Sequence, residues 1–158
     1  MSTDDLESIK PTAALRHSSI TDAIIGAFYE VYNEIGQGFL ESVYREALAH
    51  ALAARGLKVE KEKPVTVRFR GFAVGVFRTD LLVNDAVVVE LECARTIEPY
   101  HEAQLLNYLK ATQFEVGLLV NFGTRPQFQR LLLDNDRKQS PAREHAFTAR
   151  VSTDIQKT

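Results

Sequence analysis

The chain has 158 residues, 45% of them hydrophobic, and its 19 basic and 21 acidic side chains leave a net charge of −2. This length suits one hydrophobic core, and the near-neutral charge excludes a protein that coats nucleic acid with its whole surface. The single cysteine, Cys93, excludes an internal disulfide. No apolar run approaches the ~20 residues of a membrane span and no secretory signal is visible, so we expect a cytoplasmic protein without membrane contact.

The first predicted element is an amphipathic helix. Residues 1–17 show no hydrophobic period, and we expect a flexible leader there. Apolar side chains then recur at helical spacing over residues 20–35. Ser19 and Asp22 form an S-x-x-D pattern typical of a helix start, and Gly36 is placed to stop the helix.

A second helix is predicted from Leu40 to just before Gly56. Its apolar stripe consists of Leu40, Val43, Tyr44, Ala47, Leu48, Ala51 and Leu52. On an ideal helix Glu41 lies about 100° from Leu40, among the apolar positions, whereas Glu46 lies at about 240° and points to solvent. Position alone favours a first-turn glutamate stabilised by the helix dipole; the other interpretation is a carboxylate aimed at the sheet.

Past Gly56 the hydrophobic period changes to two, which predicts strands. The predicted strands are residues 57–63, 65–70, 74–83 and 86–92. Pro64 separates the first two, and Asn84-Asp85 is a turn signal before the last. Because that last strand is almost continuously Val and Leu, we expect it at the centre of the sheet, covered on both faces.

The remaining elements complete one domain over residues 18–133. A helix is predicted from about Pro99 to Ala111, with proline in its first turn, and a strand at 115–121 that can pair parallel to a neighbour. We expect a short helix within 125–133 and a disordered tail over 134–158. The order ααββββαβ predicts an α/β fold with a mixed central sheet flanked by helices.

Carboxylates inside the apolar strands are the candidate functional residues: Asp80 in one strand, Glu90 and Glu92 in the next. A two-residue loop between the strands would pair Asp80 with Val89, whereas a three-residue loop, 84–86, sets Asp80 across from Glu90. In the second arrangement the carboxylates repel one another unless an ion or a proton is bound. Oxygen ligands favour Mg²⁺ or Mn²⁺ over zinc.

The predicted third helix carries polar side chains on one face. Gln104 and Tyr108 are four residues apart, and His101 lies one turn earlier. The amide of Gln104 and the phenol of Tyr108 could orient a phosphate backbone or hold a ligand carboxylate, and a solvent-covered polar edge explains the local pattern equally well. Cys93 has no evident base beside it, and we interpret it as a small buried hydrophobic residue.

Several separated motifs resemble the GxxExxY proteins. The signature itself is Gly38-Phe39-Leu40-Glu41-Ser42-Val43-Tyr44, and further matches lie at 78–83, 88–91, 101–110 and 116–123. The resemblance covers about residues 20–123. That family is placed within the PD-(D/E)xK nuclease superfamily, so the resemblance implies a restriction-endonuclease-like mixed sheet flanked by helices and metal-dependent hydrolysis of nucleic acid.

The resemblance also implies roles for individual residues. Asp80 takes the place of the metal-binding aspartate, Glu90 that of the first acidic residue of the E-x-K step, and Glu41 that of the helix glutamate. Gln104 and Tyr108 resemble the Q-x-x-x-Y element of the recombination-exonuclease branch. The residues expected to contact substrate are therefore Gln104, Tyr108 and Tyr44.

Glu92 departs from the superfamily pattern, which usually has lysine at this position. Some restriction endonucleases of the superfamily carry E-x-E, with the second glutamate acting at the water or at a second metal. The leading hypothesis is a Mg²⁺- or Mn²⁺-dependent nuclease. The alternatives are a catalytically inactive nuclease fold that binds nucleic acid or protein, and a structural partner protein that uses a sheet edge. The sequence does not choose between DNA and RNA, and a homodimer is one arrangement that it allows.

Overall fold

A computed structural model gives the fold of residues 16–138, so the predicted leader and tail lie almost wholly outside the described residues. The α-helices in this range are α1 (Ser18–Ile35), α2 (Glu41–Ala54) and α3 (Pro99–Ala111), and a short 3-10 helix spans Asn135–Arg137. The strands are β1 (Val59–Lys61), β2 (Pro64–Phe69), β3 (Phe72–Arg78), β4 (Leu81–Val83), β5 (Val87–Glu92), β6 (Val116–Asn121) and β7 (Gln127–Leu132). Within the described range no helix is long and apolar enough to cross a bilayer.

The ends of the first two helices agree only in part with the sequence patterns. Gly36 stops α1 as predicted, with a φ of 68° that suits glycine. The S-x-x-D start is wrong, because His17 precedes the helix and Ser19 already lies within it. The apolar stripe of α2 begins later than predicted. Leu40 precedes the helix and is 77% exposed, and Val43 is 41% exposed.

The central sheet has five strands in the order β1-β4-β5-β6-β7. Its β5 and β6 pair parallel, and the other neighbours pair antiparallel. Strands β2 and β3 form a separate antiparallel hairpin. The α/β class, the mixed central sheet and the central position of β5 are therefore confirmed, as is the parallel pairing of β6.

The predicted strand 74–83 is wrong as one element, because the chain changes partner in its middle. Strand β3 belongs to the hairpin and β4 to the central sheet. At the joint between them the Thr79 N–H donates to the Lys63 carbonyl at 3.2 Å, and the Glu62 N–H donates to the Asp80 carbonyl at 3.0 Å. Alternating hydrophobicity reports an extended chain, and it does not report which strand the chain pairs with.

The short helix expected within 125–133 is also wrong. Residues Gln127–Leu132 form the edge strand β7, whose backbone pairs with β6 from Asn121 to Val116. The segment is short, and most of its side chains are only partly buried. The hydrophobic pattern of so short a segment fits a helix and a strand equally well. The segment forms a strand because β6 has an open edge with which its backbone can pair.

Two apolar layers cover the central sheet. One joins α1 and α2 to the face that carries Val87, Val89 and Leu91. The other joins α3 and the hairpin to the opposite face, which carries Leu82 and Val88. Because side chains alternate along a strand, Glu90 and Glu92 lie on the same face as Val88, toward α3.

Candidate functional site

The register of β4 and β5 decides whether the strand carboxylates meet. The observed pairs are Leu81↔Val89, Leu82↔Val88 and Val83↔Val87. The loop between the strands therefore has three residues, 84–86, and one further step of this register sets Asp80 across from Glu90. Asn84 and Asp85 both have φ of 51°, which Asn and Asp tolerate better than most residues. The three-residue loop, which was one of the two alternatives predicted from the sequence, is therefore confirmed.

Asp80 is held at the joint before β4 by two groups. Its Oδ2 accepts a hydrogen bond from the Leu91 N–H at 2.8 Å, and its Oδ1 lies 3.5 Å from Nη1 of Arg45. Burial nevertheless raises the pKa of Asp80, because the hydrogen bond and the guanidinium compensate only part of the lost hydration. The carboxyl group is fixed in position and remains a strong acceptor.

Glu90 is the most deeply buried of the acidic side chains, at 8% exposed. Its Oε1 is shielded from solvent and has no hydrogen-bond partner among the described residues. Burial, followed by the charge of Asp80, holds the pKa of Glu90 well above its usual range. An orphaned buried oxygen of this kind is costly unless a proton or a cation occupies it.

Glu92 and Glu41 complete a cluster of four carboxyl groups, which we call the acidic cluster (Glu41, Asp80, Glu90 and Glu92). Burial and the charges of Glu41 and Asp80 raise the pKa of Glu92 to about 8. Burial and the charge of Asp80 raise the pKa of Glu41 to about 7, against the lowering effect of Arg45. Because these effects act between the members, the four groups share one region at the carboxyl end of β5.

His101 is a site residue whose role the sequence patterns did not reveal. Its Nε2 lies 3.4 Å from Oε2 of Glu92, and its Nδ1 accepts a hydrogen bond from the Glu98 N–H at 2.8 Å. Burial lowers the pKa of His101, so the ring is neutral at pH 7. Since Nδ1 is an acceptor, the neutral ring carries its proton on Nε2 and presents it to Glu92.

Arg45 is the second residue that was missed. It lies one turn after Glu41 on α2, and its guanidinium also approaches Glu62 at 3.6 Å. Its Nε is shielded from solvent without a hydrogen-bond partner among the described residues. The i, i+4 spacing from Glu41 was the available signal, since such pairs share a helix face.

Tyr108 faces the acidic cluster from α3. It is 1% exposed, and its hydroxyl has no hydrogen-bond partner among the described residues. Burial and then the charge of Glu90 raise the pKa of Tyr108 to about 12, so it remains a neutral donor. Gln104, one turn earlier on the same helix, is half-buried. The helix thus carries His101, Gln104 and Tyr108 along one side.

Tyr44, which we expect to contact substrate, lies in the core. The ring is fully buried and stacks on Phe122 with centroids 4.5 Å apart. Its hydroxyl donates to the Gly36 carbonyl at 2.5 Å and accepts from the Phe39 N–H at 3.3 Å. Both polar positions of the hydroxyl are therefore used to close the loop between α1 and α2.

A Tyr44→Phe protein should test this structural role. We expect a loss of about 1 kcal/mol in the free energy of unfolding, because the partly buried Gly36 carbonyl loses its donor. Urea denaturation measures the loss. Nucleic-acid affinity should not change. A variant of unchanged stability that binds nucleic acid more weakly would instead support contact between Tyr44 and the substrate.

The interpretation of Cys93 as a buried residue is wrong. The side chain is exposed, because the chain leaves the sheet directly after Glu92. Partial burial and the neighbouring charge of Glu41 raise the pKa of Cys93 to about 11. The thiol is therefore protonated at neutral pH and is a poor nucleophile.

The donor set of the acidic cluster fits a hard divalent ion, since every member offers carboxylate oxygen. The buried, unpartnered Oε1 of Glu90 supports the same conclusion. However, within residues 16–138 no group of three or more His, Cys, Asp or Glu side chains is arranged to hold one ion. A metal would therefore require the side chains of the cluster to move toward it.

The chain is similar to two solved structures. The crystal structure of SSO0001 is 19% identical, with a TM-score of 0.51 over 91% of this chain and 71% of that one. The crystal structure of an alkaline exonuclease from Laribacter hongkongensis is 15% identical, with a TM-score of 0.48 over 86% of this chain and 81% of that one. At such identities the first likeness concerns the fold alone. No curated protein matches the chain.

A family model decides the relationship. The model described as the PD-(D/E)XK nuclease superfamily matches residues 18–131. The match runs from the start of α1 almost to the end of β7, and so it contains the whole acidic cluster and α3. The chain belongs to the PD-(D/E)XK nuclease superfamily.

Proposed function

We propose that this protein hydrolyses phosphodiester bonds of nucleic acid with a divalent metal ion, as an E-x-E member of the GxxExxY group. The observation that carries the proposal is the acidic cluster. Four carboxyl groups with raised pKa values influence one another near the end of β5, and one of them leaves a buried oxygen without a partner among the described residues. Such an arrangement costs stability unless a cation or a proton relieves it.

Nucleases of the superfamily are generally dependent on divalent metal. Here Asp80 and Glu90 would hold Mg²⁺ or Mn²⁺, with Glu41 joining them directly or through water. When bound, the ion would polarise the phosphodiester and offset the charge that develops during hydrolysis. The remaining chemistry belongs to residues of the chain itself.

Glu92 is proposed as the group that takes a proton from the attacking water. A general base works best when its pKa lies near the operating pH, and the pKa of Glu92 is raised to about 8. The Nε2–H of neutral His101 can hold the Glu92 carboxylate in one orientation. Gln104 and Tyr108 are proposed to position the substrate from α3, where Tyr108 faces Glu90.

A second candidate function is a binding module without catalysis. Two observations favour it: Glu92 stands where the superfamily usually has lysine, and no metal-binding group of three side chains is preformed within residues 16–138. Such a module would keep the nuclease fold and bind nucleic acid or protein. Only a measurement of catalytic turnover distinguishes this binding module from the enzyme.

Metal-dependent cleavage is the deciding experiment. Wild-type protein is incubated with labelled single- and double-stranded DNA and RNA in Mg²⁺, in Mn²⁺ and in EDTA, and binding is followed in parallel by fluorescence anisotropy. Cleavage that requires the metal and is lost in Glu90→Gln supports the enzyme. Binding without cleavage in any metal would decide for the module.

A further inference from the structure

Two loops leave the sheet beside the acidic cluster and enclose a cleft. One follows β5 and the other follows β6, the two parallel strands, so both loops start at the same edge of the sheet. The cleft has a volume of about 330 Å³ and is lined by Arg95, Thr96, Thr124, Arg125 and Gln127. In open α/β sheets, ligands bind outside the carboxyl ends of the parallel strands, and this cleft lies there.

Both arginines of this cleft are available to a ligand. Arg95 and Arg125 are exposed, and neither forms an ion pair or a hydrogen bond with another residue in the range 16–138. Two other arginines of the same range are engaged: Arg45 lies near Asp80, and Arg55 pairs with Glu30 at 2.8 Å. Two guanidinium groups from separate loops therefore face one cavity whose other lining side chains are uncharged.

Hydrogen bonds connect the backbones of the two loops that carry the arginines. The Asn121 side chain accepts from the Ala94 N–H and donates to the Ala94 carbonyl, both at 2.9 Å. The Gly123 N–H donates to the same side chain at 3.1 Å. Gly123 passes so close to Ala94 that an added Cβ would lie 1.7 Å from the Ala94 oxygen. The loops are thus fixed relative to each other and to β5.

We infer that this arginine cleft (Arg95, Thr96, Thr124, Arg125 and Gln127) binds a phosphate group of the nucleic-acid backbone beside the bond to be cleaved. Guanidinium forks match phosphate oxygens in two-point hydrogen bonds. Arg95 is three residues beyond Glu92, so their Cα atoms are at most about 11 Å apart. The inference rests on the proposed function only in taking nucleic acid as the ligand, and it does not require cleavage.

A second basic cleft serves this role less well. It is lined by Lys63, Lys110 and Lys138, among other residues. The ammonium group of Lys138 already donates to the Thr112 and Phe114 carbonyls, both at 2.7 Å. This cleft also lies near the amino end of β6, which is the opposite edge of the sheet from the acidic cluster.

Nucleic-acid affinity in EDTA tests the arginine cleft without cleavage. We expect Arg95→Gln and Arg125→Gln each to weaken binding of a labelled DNA oligonucleotide by about tenfold, since each removes a charge-assisted hydrogen bond. For each phosphate that is no longer neutralised, the slope of log affinity against log salt concentration should fall by about 0.7 for single-stranded DNA, or about 0.9 for a duplex. Anisotropy titrations at several salt concentrations measure both quantities.

Two controls separate a phosphate contact from a general loss of charge or structure. Arg137 is exposed near the amino end of β6, and Arg137→Gln makes the same change at the opposite edge of the sheet with an unchanged slope expected. Arg95→Lys keeps the charge and should keep most of the slope. Arginine variants that bind with the wild-type affinity and slope would overturn the inference while leaving cleavage intact. Conversely, a wild type that binds through these arginines but never cleaves would overturn the proposed activity alone.

Discussion

A Glu92→Gln protein is expected to cleave nucleic acid about 10²–10⁴-fold more slowly than wild type, because glutamine cannot accept a proton from the attacking water. Single-turnover rates in saturating Mg²⁺ measure the loss. Metal affinity, measured by calorimetric titration, should remain similar to that of wild type, because the proposed ligands Asp80 and Glu90 are unchanged. The effect would therefore fall on the chemical step.

The control for this prediction is Glu46→Gln. Glu46 lies on the solvent side of α2 and pairs with Lys61 at 2.8 Å, so the same change there should leave the rate unchanged. Equal rates for Glu92→Gln and wild type would remove Glu92 from the proposed mechanism. If wild type does not cleave at all, the binding module stands, and Glu92→Lys is then the variant expected to gain some metal-dependent cleavage.

The acidic cluster should make the metal-free protein less stable as the pH rises. The folded-state pKa values of Glu41 and Glu92 are raised from 4.5 to about 7 and about 8. Between the unfolded and folded values the native protein holds protons that the unfolded chain has released, so the free energy of unfolding falls with pH. We expect a loss of about 1 to 2 kcal/mol between pH 6.5 and about 8, because solvent screens part of each group.

Asp80→Asn should flatten this dependence, since the charge of Asp80 contributes to the raised pKa values of both glutamates. Urea denaturation in EDTA across the pH range measures the slope. Asp85→Asn is the matched control: the pKa of Asp85 is lowered by its hydrogen bond to Lys58, and its neutralisation should not reduce the slope. Mg²⁺ at about 100 times its dissociation constant should restore about 2.7 kcal/mol to wild type. Identical slopes for wild type and Asp80→Asn would contradict a coupled cluster.

Local patterns were enough to predict several elements that position the site. The bounds of α3 agree with the proline start and the apolar spacing, and β5 lies at the centre because its side chains are almost all apolar. Turn chemistry narrowed the register to two choices, one of which places Asp80 opposite Glu90. Because these features depend on residues close together in the chain, the sequence pattern contains them.

Features that depend on distant partners were not predictable in the same way. The break at Thr79 arises because β3 pairs with β2 while β4 pairs with β1 and β5, which alternation cannot reveal. Tyr44 sits in a motif that resembles a functional signature, yet Phe122 and Gly36 make it a packing residue. His101 is a candidate site residue only because it contacts Glu92, and this contact joins α3 to β5, two elements whose packing the local sequence pattern does not show.

The parallel pairing of β5 with β6 has a consequence for how the protein folds. Parallel neighbours cannot be joined by a hairpin, and here the crossover runs through α3, so the pairing closes a loop of more than twenty residues. Such non-local contacts form slowly relative to helices and hairpins. The four carboxyl groups come from α2, the β3–β4 joint and β5, and α3 covers them from the other side. The short β4–β5 loop alone brings Asp80 near Glu90 and Glu92. We therefore expect the covering of the acidic cluster by α3 to come late, after the β2–β3 and β4–β5 hairpins have formed.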